Sequence, residues 1–266
     1  MRINILAASG VVLLALGGSP VWAQGLPLPI PYVIPQVMPS SNAADDAAVL
    51  ASPIRTDEDR ASDAARRTLD TLDFARVRPG WKVVDMIMGG GFFTRTLAAA
   101  VGPDGRVTAW QPAEFIAFQA SYGEAATAAD RIANVDVIRS PIGTPEFPAG
   151  LDLVFTAQNY HDLHLRAFAD DTAERVNAAV FAALKPGGYY VIIDHHALDG
   201  ADASTPQTLH RIDTDRVVRE VEAAGFVMAG GSAALWNDDD PRTANVFDAS
   251  IRGRTSQFTI SFRKPE

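Results

Sequence analysis

Apolar positions in this chain fall into short unbroken runs separated by longer amphipathic stretches. WKVVDMI (81–87), RVTAW (106–110), VDVIRS (135–140), LDLVFTAQ (151–158) and YYVIIDHH (189–196) are rich in β-branched and aromatic residues. Near-continuous runs of this kind predict strands buried on both faces. The stretches between them carry helical spacing: FFTRTLAAAV (92–101), the alanine-rich Ala113 to Ala133, and Thr172 to Leu184 with Val176, Val180, Phe181 and Leu184 on one face. Lys185-Pro186-Gly187-Gly188 ends the last of these, and Asp213 to Ala224 predicts a further helix closed by Gly225. A first helix starts near Asp57 and stops at Arg78-Pro79-Gly80. FVMAGG (226–231) and SQFTISFRK (256–264) complete the series. The latter alternates, with Phe258, Ile260 and Phe262 on one side, which predicts an antiparallel edge hairpin. Strands alternating with helices predict an α/β, doubly wound, mostly parallel seven-stranded sheet covered on both faces.

Composition narrows the function classes. The 266 residues include 47% hydrophobic and 21% charged side chains, ordinary globular values. A net charge of −9 disfavours nucleic acid as a partner, since phosphate binding needs a basic face. The absence of cysteine excludes disulfides, thiolate metal sites and cysteine nucleophiles. No G-x-S-x-G elbow is present, which argues against a serine hydrolase.

Residues 1–23 combine Arg2, an apolar stretch from Ile5 to Leu16, the breakers Gly17, Gly18 and Pro20, and small residues at Val21 and Ala23. This pattern predicts an export signal cleaved after Ala23, with a periplasmic location if the cell is Gram-negative and no later membrane span. Residues 24–52 open with Pro27, Pro29, Pro31, Pro35 and Pro39 and predict an extended linker. The folded domain is then 53–266.

In a sheet of this kind ligands bind beyond the carboxyl ends of the strands. After the first strand stands Asp85-Met86-Ile87-Met88-Gly89-Gly90-Gly91, leading to Thr94. Such a turn lets backbone N–H groups approach a ligand at a helix N-terminus. All five histidines follow the fourth and fifth strands or the next loop: His161 and His164, His195 and His196, and His210. Histidine carries protons near neutral pH, so His161, Asp162, His196 and His210 are the candidate catalytic residues. His164 reads as structural. Metal-ligand spacings such as His-x-x-x-His are missing, and Asp238 to Asp240 lack the alternation of a calcium loop, so no metal site is expected. Arg55, Arg60, Asp63 and Arg67 precede the first strand and have two readings, surface charge as the default and a segment folded over the cleft as the alternative.

The chain resembles the class I S-adenosylmethionine-dependent methyltransferases, with a Rossmann-like fold. The resemblance rests on the strand, glycine loop and helix, on NYHDL, on LKPGG and on the strand running into DHH. More narrowly, residues 51–265 are similar to a family of exported predicted methyltransferases, through VRPGWKVVDMIMGGGFFTRTLA, VFAALKPGGYYVIIDHHA, TLHRID and DPRTANVF. The resemblance implies S-adenosylmethionine as cofactor and a small or envelope-associated methyl acceptor. It implies cofactor contacts from Asp85, Gly89, Gly90, Gly91, Thr94 and Gln111, with Asn159 and Tyr160 at the methyl-transfer mouth. Three positions depart from the family pattern. Ile87 stands where the first loop glycine is usual, Gln111 where an acid grips the ribose, and Ser140-Pro141 where an acid meets the adenine. Two other readings remain: acid–base chemistry at the histidines without that cofactor, and a binding protein of the envelope with no enzymatic activity.

Overall fold

The computed structural model describes residues 43–266. The export signal and the proline-rich part of the linker lie outside the described residues. The remainder of the expected linker is a helix, α1 (Ala43–Ala51), whose Val49 packs against the domain core. Val49 and Leu50 near its end are half-buried, while Ala51 is exposed.

Five parallel strands follow the predicted runs: β1 (Lys82–Met86), β2 (Arg106–Trp110), β3 (Val135–Ile138), β4 (Leu151–Ala157) and β5 (Leu184–His195), the last starting five residues earlier than expected and taking in the Lys185-Pro186-Gly187-Gly188 stretch read as a helix stop. Two antiparallel strands follow, β6 (Val227–Ser232) and β7 (Gln257–Arg263). The sheet order is β3-β2-β1-β4-β5-β7-β6. The two last strands form the antiparallel hairpin expected at the edge, with β7 as its inner member. β7 pairs with β5 on one side and β6 on the other, and β6 is outermost. Its alternation marks two different buried faces, because Thr259 and Ser261 are as enclosed as Phe258 and Ile260.

Successive residues on a strand face opposite ways, and this divides the core in two. Val84, Met86, Val154, Tyr190 and Ile192 face α7 (Thr172–Ala183) and α9 (Thr214–Ala223). Val83, Val107, Leu153, Phe155 and Val191 face α4 (Phe92–Val101) and α6 (Ala120–Ala129). Each fully buried aliphatic or aromatic side chain contributes about 1.5–3 kcal/mol.

Two predicted helices are each split. The run from Asp57 becomes α2 (Asp57–Arg66) and α3 (Thr68–Phe74), parted where Arg67 turns left-handed at φ 47°. The Thr68 hydroxyl reaches back to Asp63 Oδ1 at 2.7 Å across that break. The run from Ala113 becomes α5 (Ala113–Phe118) and α6, parted by extended Gln119. Phe115 of α5 packs on one core and Ala126 and Ala129 of α6 on the other, so one straight helix cannot serve both. Two short elements have no periodic signature, a 3-10 turn at Tyr160–His164 and α8 (Thr205–Leu209). Among the described residues no helix is long and apolar enough to cross a membrane.

Candidate functional site

The turn after β1 is built by glycine. Gly89 and Gly91 take φ of 54° and 80°, a region that costs other residues a clash with their own Cβ. A Cβ on Gly91 would lie 2.8 Å from the Arg95 guanidinium, whereas Gly89 and Gly90 face open space. Arg95 anchors the turn. It donates to the Gly90 carbonyl at 3.1 Å and makes a paired contact with Asp59 of α2, at 2.6 and 2.7 Å. The charged segment before β1 thus folds onto the turn. Arg55, at the surface on the default reading, is instead buried and bound to Asp63 through both guanidinium nitrogens.

Asp85 ends β1 with its carboxylate almost fully enclosed, accepting the Thr94 hydroxyl at 2.5 Å. Burial pushes its pKa up to about 6, against the opposing pull of Thr94, Arg95 and Arg66. Thr94 therefore acts by fastening Asp85. Ile87 is left-handed at φ 60° and only 2% exposed. For a β-branched residue that backbone is strained. Three hydrogen bonds hold it: Asn159 Nδ2 to the Ile87 carbonyl at 2.8 Å, Thr156 Oγ1 to the Met86 carbonyl at 3.0 Å, and the Met88 N–H to the Trp110 carbonyl at 2.9 Å. The last of these brings the β2 end against the turn. There Gln111 is wholly buried, and among the described residues neither its amide nitrogen nor its amide oxygen has a partner. Leaving such a group unpaired costs about 1–3 kcal/mol.

Asn159 stands half-buried at the end of β4 beside the glycine turn, whereas the Tyr160 side chain points away from it. Asn159 spends both amide hydrogens on carbonyls, those of Ile87 and Ala157. The Tyr160 hydroxyl points into the core, donating to Glu220 at 3.0 Å and accepting from Asn177 at 2.8 Å. In the 3-10 turn its side chain faces α7 and α9, and the next residue, His161, faces the end of β5.

Asp194 on β5 organises that end. It accepts the His161 N–H at 2.7 Å through one oxygen, and through the other the His161 ring Nδ1 at 2.8 Å and the His195 N–H at 2.7 Å. The imidazole is thereby fixed with Nε2 turned to Asp162 Oδ1, 3.3 Å away. Burial disfavours the charged ring, but the Asp194 and Asp162 carboxylates outweigh it and raise the His161 pKa to about 9. Burial also lifts Asp162 to about 6, with His161 pulling the other way. His210 closes the group, with its ring centre 5.4 Å from that of His161. It is held left-handed at φ 54° behind α8, and Phe247 lies against its outer side at 5.0 Å.

His196 does not join this cluster. Its N–H donates to the Ser256 carbonyl, its backbone bridges Ile212, and its ring sits between Trp236 and Phe258. His195 is the nearer ring, 6.1 Å from His161, with Thr255 bound to its Nδ1. His164 lies against Glu220 and Arg216, the structural place expected of it. No metal site is expected from the sequence spacings, and the fold brings together three side chains of the ligating kind. One ligand atom from each of His161, Asp162 and His210 lies within 4.8 Å of the others. They come from the ends of two separate loops, so no sequence spacing announces them. Asp194 was also missed as a site residue, since an acid closing a buried strand carries no motif of its own. Asp240, in the acidic run that lacks calcium-loop alternation, is buried against Arg211, at 2.8 and 3.0 Å.

The strand order, the glycine turn after β1 and the polar groups beyond β4 and β5 define the fold of the class I S-adenosylmethionine-dependent methyltransferases. A methyltransferase of that kind from Aquifex aeolicus superposes with a TM-score of 0.54 at 18% identity, over 77% of this chain and 94% of its own. The N-methyltransferase NodS of Bradyrhizobium japonicum gives 0.50 at 14% identity, over 81% and 99%. The [4+2]-cyclase SpnF gives 0.55 at 16% identity, over 76% and 81%. No protein-family model matches the chain, and no curated protein matches it in sequence.

Proposed function

We propose that this protein is an S-adenosylmethionine-dependent methyltransferase acting on a small acceptor bound over the His161 cluster. The observation that carries the reading is Gln111, a fully buried amide with both polar atoms unpartnered among the described residues, at the end of β2 beside the glycine turn. A neutral amide can donate to one hydroxyl and accept from another, which suits a ribose diol. The open backbone at Gly89 and Gly90 suits the amino-acid end of the same ligand, while Asp85, through Thr94, keeps the turn in place. Bound there, the cofactor would supply an electrophilic methyl group. The chain's own task is alignment, exclusion of water and removal of the acceptor's proton. Nε2 of His161, oriented by Asp194, and the Asp162 carboxylate are the groups placed to manage that proton. Residues 1–23 support export, and with it an acceptor of the cell envelope.

The test is saturable binding of radiolabelled S-adenosylmethionine to the purified chain, together with Gln111→Leu. That substitution should weaken binding about tenfold while stabilising the free protein, because it removes unpaired polar atoms. Absence of binding at millimolar cofactor would overturn the reading. A second reading is favoured by Ile87, whose side chain occupies a loop position usually left to glycine. On it the fold is kept and the His161 cluster performs acid–base chemistry on another ligand. The neighbour named as a cyclase is an instance of this fold carrying a different chemistry.

A further inference from the structure

We infer that His161, Asp162 and His210 form a binding site for one divalent transition-metal ion of the zinc or cobalt type. The donor set of two imidazoles and one carboxylate is that of three-ligand sites with a coordination position left open. The spacing agrees. An ion with bonds of about 2.0–2.1 Å in tetrahedral geometry holds its ligands about 3.3 Å apart. His161 Nε2 and Asp162 Oδ1 stand at 3.3 Å. The His210 donor is within 4.8 Å of both, a gap that a modest turn of a half-buried ring closes.

A second observation points the same way. Metal-bound histidines usually pass their other ring N–H to a carboxylate, which sets the tautomer and the ring plane. His161 does this with Asp194, through a 2.8 Å contact and a second bond to its own backbone. Asp194 is wholly buried and can contribute to a ligand only through His161. With neutral imidazoles the group carries the two negative charges of Asp162 and Asp194, which a dication balances. The open position would take an oxygen or nitrogen of the acceptor. The inference deepens the methyltransferase reading, in that it names how the acceptor is held, but the metal site stands on its own geometry.

The experiment uses the full chain without a polyhistidine tag, stripped with a chelator. Cobalt(II) is titrated while its visible absorption is followed, and zinc is titrated by calorimetry. The expected result is one ion per chain with the intense absorption of a low-coordinate cobalt site. His210→Ala and Asp162→Asn should each weaken binding at least about 100-fold, since even a supporting partner of a metal ligand is worth about 10–100-fold. Asp239→Asn, at an exposed acid elsewhere, should leave it unchanged. Asp162 is buried and His210 half-buried, so a circular dichroism spectrum matching the parent's is required of each variant to confirm the fold. No binding at 100-fold excess of either ion, or binding that survives both ligand variants, overturns the site. Binding of S-adenosylmethionine, measured on the same preparation with and without zinc, fails or succeeds separately.

Discussion

Replacing Ile87 tests whether the backbone of the β1 turn is under strain. Ile87 buries all but 2% of its surface, so Ile87→Ala should cost about 2–5 kcal/mol for the lost packing and the cavity left behind. The next step, from Ala to Gly, is the informative one. At an ordinary buried position it loses a methyl group worth about 0.8 kcal/mol and adds about 0.5–1 kcal/mol of chain entropy cost. At φ 60° it also releases the left-handed penalty of about 1–2 kcal/mol. The two sides cancel, and Ile87→Gly should match Ile87→Ala within about 0.5 kcal/mol. Urea unfolding of the two variants, read by tryptophan fluorescence, gives the comparison. A glycine variant less stable than the alanine variant by about 2 kcal/mol would refute the strain. On the methyltransferase reading the same glycine also restores the usual loop residue, so cofactor binding should tighten relative to the parent.

Three further outcomes follow from contacts already described. Asp85→Asn should stabilise the protein at neutral pH. The folded-state pKa of Asp85 is raised to about 6 from 3.8, so its favourable contribution is present below about pH 4 and is lost as pH rises through 6. That gap is worth at most roughly 3 kcal/mol, a net figure that already contains the opposing pull of Thr94, Arg95 and Arg66. Unfolding at pH 4 and pH 7.5 should show the advantage of Asn only at the higher pH. Asp240→Ala strands the buried Arg211 guanidinium and should cost about 3–5 kcal/mol; a loss below about 1 kcal/mol in chemical denaturation would contradict the buried pairing. Tyr160→Phe removes a hydroxyl shared with Glu220 and Asn177 and should lower stability by about 1–3 kcal/mol without changing ligand affinity, which calorimetry can verify.

The strands were legible because each is a compact run of apolar residues, and β2 and α4 occupy the very spans the pattern marks. What was not legible depended on contacts between distant parts. The break at Gln119 arises because Phe115 and Ala126 serve opposite faces of the sheet, which no local spacing records. The edge hairpin was legible in the alternation of Phe258, Ile260 and Phe262, but the burial of Thr259 and Ser261 on the other face depends on the second core layer, which local spacing does not record. At the site, the clustering of histidines near three strand-end loops pointed to His161 and His210, but chain order alone cannot distinguish His195 from His196. That choice is made by the bridge from His196 to Ile212 and by the aromatic slot that takes its ring. Tyr160 likewise had the correct neighbourhood and the opposite direction, because a 3-10 turn sends adjacent side chains different ways.

The position of β7 sets the order in which this molecule can be assembled. β6 is made earlier in the chain yet has only β7 as a sheet neighbour, so its backbone groups stay unpaired until residues 257–263 arrive. The same arrival seals the open flank of β5, whose last residues carry Asp194. A chain cut before Gln257 would leave β6 without a sheet partner and the flank of β5 that carries Asp194 unpaired.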